Sequence, residues 1–502
     1  MSFRLPIRHR LLLGMTLAAM LSMGAYLWAA HREYRAGFPL DDAWIYQTFA
    51  RTWATTGTWG LRADQPAAGA TAPLWVLPMA LVHKLWPDAG PVGAWLMGLG
   101  LLAAMALLVM REAQRDGLSL GASTALGLIF LLEWHLVWAA LSGMETLAFG
   151  LLAWWVLRHL DREHPSWGKV GWLLGLGVWL RPEAVLLLLP WAWRVGWIPR
   201  FRERLRAFLA TGFPLLVLLV LYVTVQLLLT GHPWPNTGQA KVMEYAAWRE
   251  GPFLVRWLRM ALPPLIGPGL LFLPWGLYGL VRHGRAWVWG EALWVLAHIT
   301  AYAWRLPAPY QHGRYVIPII PVLLWWGARS FIRWQQADGP KASGANPADR
   351  WGWRMQTFTR FLAVFWVLGF WFLGMRAYAA DTAFIESNLV DTARWVARYI
   401  PPEEEVAAHD IGALGYFAPQ PVVDLAGLVN PEVIPFLRDP VRLAAYLENR
   451  EVRYLVLFPD WYGPDFVYCS AVLHRAQARG YPPEQAPDLV VYRWRPCPPG
   501  HR

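Results

Sequence analysis

The sequence has few charged residues for its length. Only 16% of its 502 residues are charged, whereas 56% are hydrophobic and 35 are tryptophan. The apolar residues are grouped in long blocks and do not alternate with polar ones. Because a helix needs about 20 apolar residues to cross the hydrocarbon core of a bilayer, this composition indicates a mostly α polytopic membrane protein, and argues against a chain that is soluble throughout.

Cysteine is scarce, and two kinds of signal are missing. The two cysteines are Cys469 and Cys497, close to the C-terminus. A disulfide is allowed if this region lies outside the cytoplasm, and two unpaired thiols are the equal alternative. We find no metal-ligand spacing and no internal repeat. No basic stripe with interleaved aromatic residues is present on a soluble segment, so nucleic acid is not an expected partner.

Long apolar runs predict the membrane-crossing helices. The stretch 170–197 is interrupted by Arg181, Pro182 and Glu183, so we expect two short helices joined at a membrane face. The stretch 73–86 is short for a crossing at about 1.5 Å per residue and is expected to be re-entrant, interfacial or strongly tilted. The clear candidates are 11–30, 91–110, 121–141, 145–160, 207–230, 263–281, 287–304, 316–332 and 357–377.

Positive charge predicts the orientation of these helices. If 73–86 does not cross, the arginine-rich connections, such as 194–206, all lie on one side, which is the cytoplasmic side by the positive-inside rule. About eleven crossings follow, with a cytoplasmic N-terminus. Residues 1–30 then read as an uncleaved anchor, with a cleaved signal peptide as the alternative. We expect a multi-pass protein of the cytoplasmic (inner) membrane.

The last part of the chain differs in composition from the rest. Residues 378–502 contain 16 acidic and 11 basic residues, whereas the whole chain has a net charge of +11. Short apolar runs there alternate with helical stretches such as 384–400 and 441–450. The sequence therefore predicts a transmembrane domain over 1–377, with its first outer loop at 31–72, and a small α/β extracytoplasmic domain over 378–502.

Polar and charged residues collect on the predicted outer face. They come from five segments that are far apart in sequence, which makes a common site the main hypothesis. The residues are Asp41 and Asp42 in the first loop; Glu145; Arg181 and Glu183; Asn236, Thr237, Lys241 and Glu244 in the 231–262 loop; and His312 and Arg314 in the 305–315 loop.

Several of these residues also have a structural interpretation: the stretch around Asn236 could be a proline-rich turn, and Arg314, just before a crossing, could extend its side chain to the membrane interface. Asp41 precedes an amphipathic helix and could be its N-cap, although one cap does not need two aspartates. Glu145 could complement a helix dipole, and Arg181 with Glu183 could be a structural ion pair. Functionally, a carboxylate at a membrane face can act as a general base on a hydroxyl, and Lys or Arg can stabilise a leaving phosphate.

Several stretches resemble a known family. "LDDAWIYQTFARTWATTGTWGLRADQPAAGATAPLW" is similar to the first outer loop of GT-C class membrane glycosyltransferases, particularly the bacterial group that includes mycobacterial terminal arabinofuranosyltransferases. "LSGMETLAFGLLAW", "LRPEAVLLLL", "PNTGQAK", "GRYVIPIIP" and "HDIGALGYFAPQPVVDLAGLVNPE" resemble later blocks of the same group. The resemblance therefore runs over most of the chain.

This resemblance implies roles for individual residues. Asp41 would be the base that activates the acceptor, Asp42 would orient substrate or hold a divalent metal ion, and Glu145 would be a second acidic site residue. The donor phosphate would be held by Lys241 and Arg314. Asn236 and Thr237 would assist them, and Arg181, Glu183 and His312 complete the expected substrate-binding set.

We therefore expect a glycosyltransferase that acts on the outer membrane face. It would move a monosaccharide from a polyprenyl-phosphate donor to a hydroxyl of a glycan, lipid or protein acceptor, with inversion. A secondary transporter or lipid flippase is the rival hypothesis, and Glu133 with the break in 170–197 would support it. A non-catalytic assembly partner that kept the fold is a second rival.

Overall fold

The computed structural model describes residues 7–87, 89–283, 286–337, 347–482 and 484–497, and most of them are helical. The N-terminal helices surround a continuous apolar core, and a small mixed sheet follows them. The helices of the first part are α1 Ile7–Glu33, α2 Asp41–Thr56, α3 Pro73–Leu85, α4 Pro91–Arg115, α5 Leu120–Leu132, α6 Trp134–Leu141, α7 Thr146–Leu160, α8 Trp167–Leu180, α9 Leu188–Gly196, α10 Phe201–Thr230, α11 Thr237–Glu244, α12 Phe253–Ala261, α13 Pro268–His283, α14 Trp289–Arg305, the short α15 Tyr310–Gly313, α16 Ile320–Ala337 and α17 Pro347–Phe384.

Several of these helices are long and apolar enough to cross a membrane. Five of the described helical segments pass on length and composition, and the number is seven if each of two bent pairs counts as one span. Others, such as α7 with 15 residues and α8 with 14, are shorter than a full crossing at about 1.5 Å per residue. The mostly helical architecture is thus confirmed, while the eleven crossings stay a prediction.

The run 121–141, expected to be one helix, is broken at Glu133. α5 and α6 meet there at a bend of 57°. The Glu133 backbone is extended, and its carboxylate accepts hydrogen bonds from the backbone N–H of Leu136 and from His135 Nδ1, each at 2.8 Å. Glu133 therefore caps the second helix, and this local bonding compensates for its burial.

The expected break of 170–197 into two short helices is confirmed, and its position at a membrane face stays a prediction. α8 ends at Leu180, Arg181 is extended, a 3₁₀ turn covers Pro182–Leu187, and α9 follows directly. Proline at 182 has no N–H to donate and disfavours helix at the residue before it, which explains why the first helix ends there.

The first loop contains the expected amphipathic helix. α2 ends before Gly57, whose φ of 76° closes the helix in a left-handed conformation that glycine tolerates. The N-cap position is Leu40, and no side chain caps this end. The interpretation of Asp41 as the N-cap is therefore wrong. Asp41 is the first helical residue, and its side chain accepts hydrogen bonds from the backbone of Gly412 and Ala413. A short hairpin, β1 Gly60–Arg62 and β2 Gln65–Pro66, leads on to α3, which packs against α2.

The C-terminal part is a mixed five-stranded sheet with helices. The strand order is β4-β3-β5-β7-β6, with parallel pairing among the first three strands and antiparallel pairing among the last three. Its elements are α18 Asp391–Tyr399, β3 Val406–Ala408, α19 Gly412–Phe417, β4 Val422–Asp424, α20 Pro440–Asn449, β5 Tyr454–Leu457, β6 Ala471–Arg475 and β7 Val490–Arg493.

Two features join this sheet to the rest of the chain. α17 does not end near residue 377 but continues to Phe384, and a π-helical segment, Ile385–Val390, leads into α18. The buried Asn388 in that segment accepts from the backbone N–H of Leu489 at 2.7 Å and donates to the Pro487 carbonyl at 3.1 Å.

Cys469 and Cys497 form a disulfide that links residues on either side of β6 and β7.

Candidate active site

The adjacent carboxylates Asp41 and Asp42 open α2 and line one cavity. The cavity has a volume of about 670 Å³ and lies between the membrane helices and the C-terminal sheet domain. That size is within the range of small-molecule sites. Lys241 and Arg314, predicted from distant loops, line the same cavity. The structure thus brings together four of the residues expected to act as a unit.

Asp42 is held by two cations. Its Oδ2 lies 3.3 Å from Lys241 Nζ and 2.5 Å from Arg314 Nη1. Burial alone would raise the pKa of Asp42, but Lys241 and Arg314 outweigh it and lower this pKa well below its usual range. Around Asp42 the two cations exceed the one carboxylate by about one positive charge, which favours an anion such as phosphate at that point, whereas the carboxylates of Glu244 and Asp410 in the same lining act against it.

Asp41 lies in a very different environment from its neighbour. Its oxygens accept hydrogen bonds from the backbone N–H groups of Gly412 and Ala413, at 2.7 and 2.8 Å, at the start of α19. Burial, together with the nearby Asp410 carboxylate, raises the pKa of Asp41 to about 8, although the two amides act in the opposite direction. Asp41 is therefore the stronger proton acceptor of the pair.

The approach of α19 to Asp41 requires glycine at position 412. A Cβ on Gly412 would lie 2.1 Å from the Asp41 carbonyl oxygen and 2.8 Å from its Oδ2. No side chain could occupy that space without moving one of the two helices. The C-terminal domain is thus in direct contact with the first acidic residue of the site.

α11 carries residues of one helical face into the cavity. Thr237, Lys241 and Glu244 are four and three residues apart, so they lie on the same side of the helix. Lys241 and Glu244 line the cavity, whereas Thr237 is buried and shares a 2.8 Å hydrogen bond with Thr71. The backbone N–H of Asn236 donates to the Ala68 carbonyl. Asn236 and Thr237 therefore fasten α11 to the first loop and do not line the cavity.

Glu145, Arg181 and Glu183 lie outside the cavity lining and form a buried network. Arg181 donates to Glu145 at 2.7 Å and to Glu183 at 3.2 Å, and the Tyr302 hydroxyl donates to Glu183. Tyr46, one turn along α2 from Asp42, interacts with Glu145. These contacts agree with the structural interpretation of the Arg181 and Glu183 pair. Through Tyr46, the network also holds α2 in place.

His312, expected to bind substrate, is also absent from the cavity lining. Its Nε2 lies 2.7 Å from Asp381 Oδ2, and its ring packs edge-on against Trp134 and Trp138. The neighbouring Gln311 and Arg314 do line the cavity. His312 thus belongs to the support of the 305–315 loop.

The sheet domain contributes residues that the sequence reasoning did not assign. His409, Asp410, Trp461 and Tyr462 line the same cavity. His409 Nε2 lies 3.6 Å from Glu244; burial lowers the pKa of His409, but the neighbouring carboxylates, above all Asp410, raise it overall. In the sequence, the "HDIG" stretch could have indicated these site residues, because the ionisable His409 and Asp410 directly follow the strand β3.

The donor atoms at this site do not fit a divalent metal ion on Asp41 and Asp42. The Asp41 carboxylate already accepts hydrogen bonds from two backbone N–H groups. Beside the Asp42 carboxylate, where a metal ion would have to lie, are the cationic side chains of Lys241 and Arg314. Over the described residues, no group of three or more His, Cys, Asp or Glu side chains could hold an ion. We derive no chemical step through a metal.

Comparison with known proteins assigns the fold. A family described as a domain of unknown function (DUF8728) matches residues 378–492. No curated protein has a significantly similar sequence. Two similar solved structures are ArnT from Cupriavidus metallidurans bound to undecaprenyl phosphate, and the oligosaccharyltransferase AglB from Archaeoglobus fulgidus in complex with an inhibitory peptide and a dolichol-phosphate.

The likeness covers nearly the whole molecule. ArnT is 14% identical, with a TM-score of 0.61 over 95% of this chain and 97% of that chain. AglB is 9% identical, with a TM-score of 0.58 over 89% of this chain and 69% of that chain. At such identities the match establishes the fold alone. The chain therefore has the GT-C fold of an integral, multi-pass membrane protein, as its motifs indicated.

Proposed function

We propose that the protein is a membrane glycosyltransferase that takes a monosaccharide from a polyprenyl-phosphate donor and transfers it to an acceptor hydroxyl. The observation that carries the proposal is the shared cavity of Asp41, Asp42, Lys241 and Arg314. It provides a basic carboxylate and a net positive pair within one space, on a fold whose solved examples include one bound to undecaprenyl phosphate and one bound to a dolichol-phosphate.

The proposed reaction is a single displacement. Asp41 removes the proton of the acceptor hydroxyl, and the oxygen forms a bond to the anomeric carbon of the donor sugar. The bond from that carbon to the phosphate oxygen breaks, and its electron pair leaves with the polyprenyl phosphate. Lys241 and Arg314 stabilise the developing phosphate charge. Because attack and departure occur on opposite faces, the anomeric centre inverts.

Asp42 has a supporting role in this scheme. Its carboxylate holds Lys241 and Arg314 side by side before the donor binds. Such preorganisation lowers the cost of arranging charge at the moment of reaction. The buried network of Glu145, Arg181 and Glu183 would act on the site indirectly. It holds Tyr46, and so it keeps α2 with its two aspartates in position.

Other residues of the cavity lining would receive the acceptor. Trp248 and Trp461 line the cavity, and their side chains are 40% and 44% exposed. The Tyr462 hydroxyl and the Gln311 side-chain oxygen also line it and have no hydrogen-bond partner among the described residues. Apolar ring faces next to free polar atoms suit an acceptor with several hydroxyl groups.

The orientation completes the proposal. With the cavity on the extracytoplasmic side and the N-terminus in the cytoplasm, as the arginine distribution predicts, a lipid-linked donor supplies the sugar without ATP or a nucleotide sugar. The transporter hypothesis has less support, because Glu133 is bonded within its own helix junction and the break at Arg181 is filled by an ion-pair network.

The direct test is a transfer assay with purified full-length protein in proteoliposomes, with polyprenyl-phosphate sugars and membrane extract as acceptor. We expect Asp41→Asn to lose about 100-fold or more of the transfer rate, in the range typical of general bases. Asp64→Asn, at an exposed position in the same loop, is the matched control and should retain the rate. Full transfer by Asp41→Asn would refute the role of Asp41 as the base, and absence of transfer by the unmodified protein would favour a non-catalytic partner.

A further inference from the structure

The segment next to Arg314 has an unusual backbone. Gln311, His312 and Gly313 have φ values of 53°, 58° and 67°, so three consecutive residues are left-handed. Glycine tolerates this conformation, but side-chain-bearing L residues rarely adopt it. Apart from glycine, only one other described residue, Glu451, has a positive φ. Two adjacent strained residues persist only where the surroundings hold them.

The His312 side chain provides such a hold. Its Nε2 lies 2.7 Å from Asp381 Oδ2 near the end of α17. Asp381 also accepts from Trp138 Nε1 at 2.8 Å and from the Tyr481 hydroxyl of the C-terminal domain. The imidazole is thus fixed by a carboxylate that is itself anchored to a membrane helix and to the sheet domain.

The strained turn has little freedom to shift. A Cβ on Gly313 would lie 2.5 Å from Pro263 Cβ, so the backbone here packs closely against the turn before α13. Tyr310 before the turn, Gln311 as its first residue and Arg314 after it line the cavity. The left-handed conformation therefore determines where the Arg314 side chain begins.

We infer that His312 is a positioning residue for the donor phosphate, acting through Arg314 without touching the ligand. Its bond to Asp381 keeps the turn 311–313 left-handed, and the turn keeps Arg314 beside Asp42 in the cavity. The identity of the ligand rests on the proposed function. Because Asp381 also binds Tyr481, correct docking of the C-terminal domain supports the same turn.

A pair of variants separates this inference from a general structural role. His312→Ala removes the bond and keeps the strain, because alanine is unfavourable in a left-handed conformation. His312→Gly removes the same bond but makes that conformation permissible. If the bond serves to hold the turn, the alanine variant should be the more impaired of the two, although the glycine variant loses one more side-chain atom.

The first measurement is binding of undecaprenyl phosphate to the full-length protein in nanodiscs. We expect His312→Ala to weaken binding about 10-fold and His312→Gly to remain within about three-fold of the unmodified protein. His312→Asn, which tolerates left-handed backbone and can donate a hydrogen bond, should also stay near the unmodified value. Equal affinities of the alanine and glycine variants, whether both normal or both weak, would overturn the inference.

The second measurement needs no ligand and so stands apart from the proposed function. Hydrogen exchange of the 310–316 backbone amides should become faster in His312→Ala than in His312→Gly. If the unmodified protein does not bind undecaprenyl phosphate, the proposed donor is wrong, and the exchange result alone decides the inference. Identical exchange in the two variants would contradict it.

In the transfer assay, a positioning role predicts a split between kinetic constants. His312→Ala should raise KM for the donor about 10-fold, and kcat at saturating donor should fall as well but by a smaller factor, because Arg314 also stabilises the leaving phosphate. A loss confined to kcat would mean that His312 acts on the reaction itself, and this would also overturn the inference.

Discussion

At the scale of single residues, two neighbouring carboxylates have opposite surroundings. Asp42 faces Lys241 and Arg314, which lower its pKa, whereas Asp41 is buried near Asp410, and its pKa is raised to about 8. Titratable groups whose pKa values are pushed apart in one site typically have different chemical roles. On this ground we assign proton removal to Asp41 and cation alignment to Asp42.

This difference predicts the pH dependence of transfer. Asp41 accepts a proton only when it is ionised, so the rate should rise as the pH increases through about 8 and then level off. The measurement is kcat/KM in proteoliposomes between pH 6 and 9.5. A rate that is independent of pH over this range would contradict the assignment of Asp41.

The sequence was sufficient to predict some of these residues and not others. Asp41 and Asp42 were visible because a charge pair directly after an apolar run has few structural explanations, and Lys241 and Arg314 followed from the topology. The inward position of Glu145 and Arg181 could not be predicted, because a charged residue at a helix end gives no sign of whether its partner is a ligand or another side chain.

At the scale of elements, the site depends on the contact between α2 and α19. The two backbone N–H groups that bind Asp41 belong to the first turn of α19, and glycine at 412 is what lets the helices approach. The C-terminal domain therefore takes part in setting the geometry of the proposed base.

This contact yields a prediction for Gly412→Ala. The new Cβ would lie 2.1 Å from the Asp41 carbonyl oxygen, so α19 must move away and its two amide hydrogen bonds must lengthen. Because these bonds lower the pKa of Asp41, their loss should shift the rising limb of the pH profile to higher pH. We expect at least about a 10-fold lower transfer rate at pH 7.

The same helix provides a matched control. A Cβ on Gly415 would lie 3.3 Å from the end of the Leu61 side chain and 3.5 Å from Thr48 Cγ2, and no backbone atom is among its three nearest neighbours. Gly415→Ala should therefore keep both the rate and the pH profile, while it introduces the same methyl group into the same helix. If Gly412→Ala behaved like Gly415→Ala, the role of α19 in holding Asp41 would be refuted.

Element boundaries show where sequence patterns stop being informative. The helices around 170–197 could be predicted because Arg181 and Pro182 interrupt an apolar run. The break at Glu133 was missed because a single acidic residue does not outweigh the apolar residues around it, and its capping role depends on local bonding. β6 is an exposed strand, so no buried apolar face marks it in the sequence.

At the scale of the molecule, a disulfide joins the segment before β6, the edge strand of the C-terminal sheet, to the segment after its neighbour β7. Cys469 and Cys497 are 28 residues apart, and they enclose β6 and β7. From the sequence, a disulfide and two free thiols were equal alternatives, because the pairing of cysteines depends on their distance in the folded protein. A loop of this length is expected to stabilise the folded domain by roughly 3–4 kcal/mol through the entropy of the unfolded chain.

Replacing both cysteines by serine should therefore destabilise the sheet domain. The variant Cys469→Ser/Cys497→Ser is expected to unfold at a lower temperature, measured by thermal unfolding in detergent without reductant. Reductant should lower the melting temperature of the unmodified protein and leave that of the double variant unchanged. Equal melting temperatures of the two proteins under oxidising conditions would contradict the expectation.

The central claim is that a polyprenyl phosphate binds in the cavity between the membrane helices and the C-terminal domain, with its phosphate at Lys241 and Arg314. An experimental structure of the full-length protein in nanodiscs with undecaprenyl phosphate tests this most directly. The account predicts phosphate oxygens at roughly hydrogen-bond distance, about 2.7–3.2 Å, from Lys241 Nζ and the Arg314 guanidinium, with Asp41 facing the reacting side. A phosphate bound elsewhere, with Lys241 and Arg314 still paired only to Asp42, would contradict it.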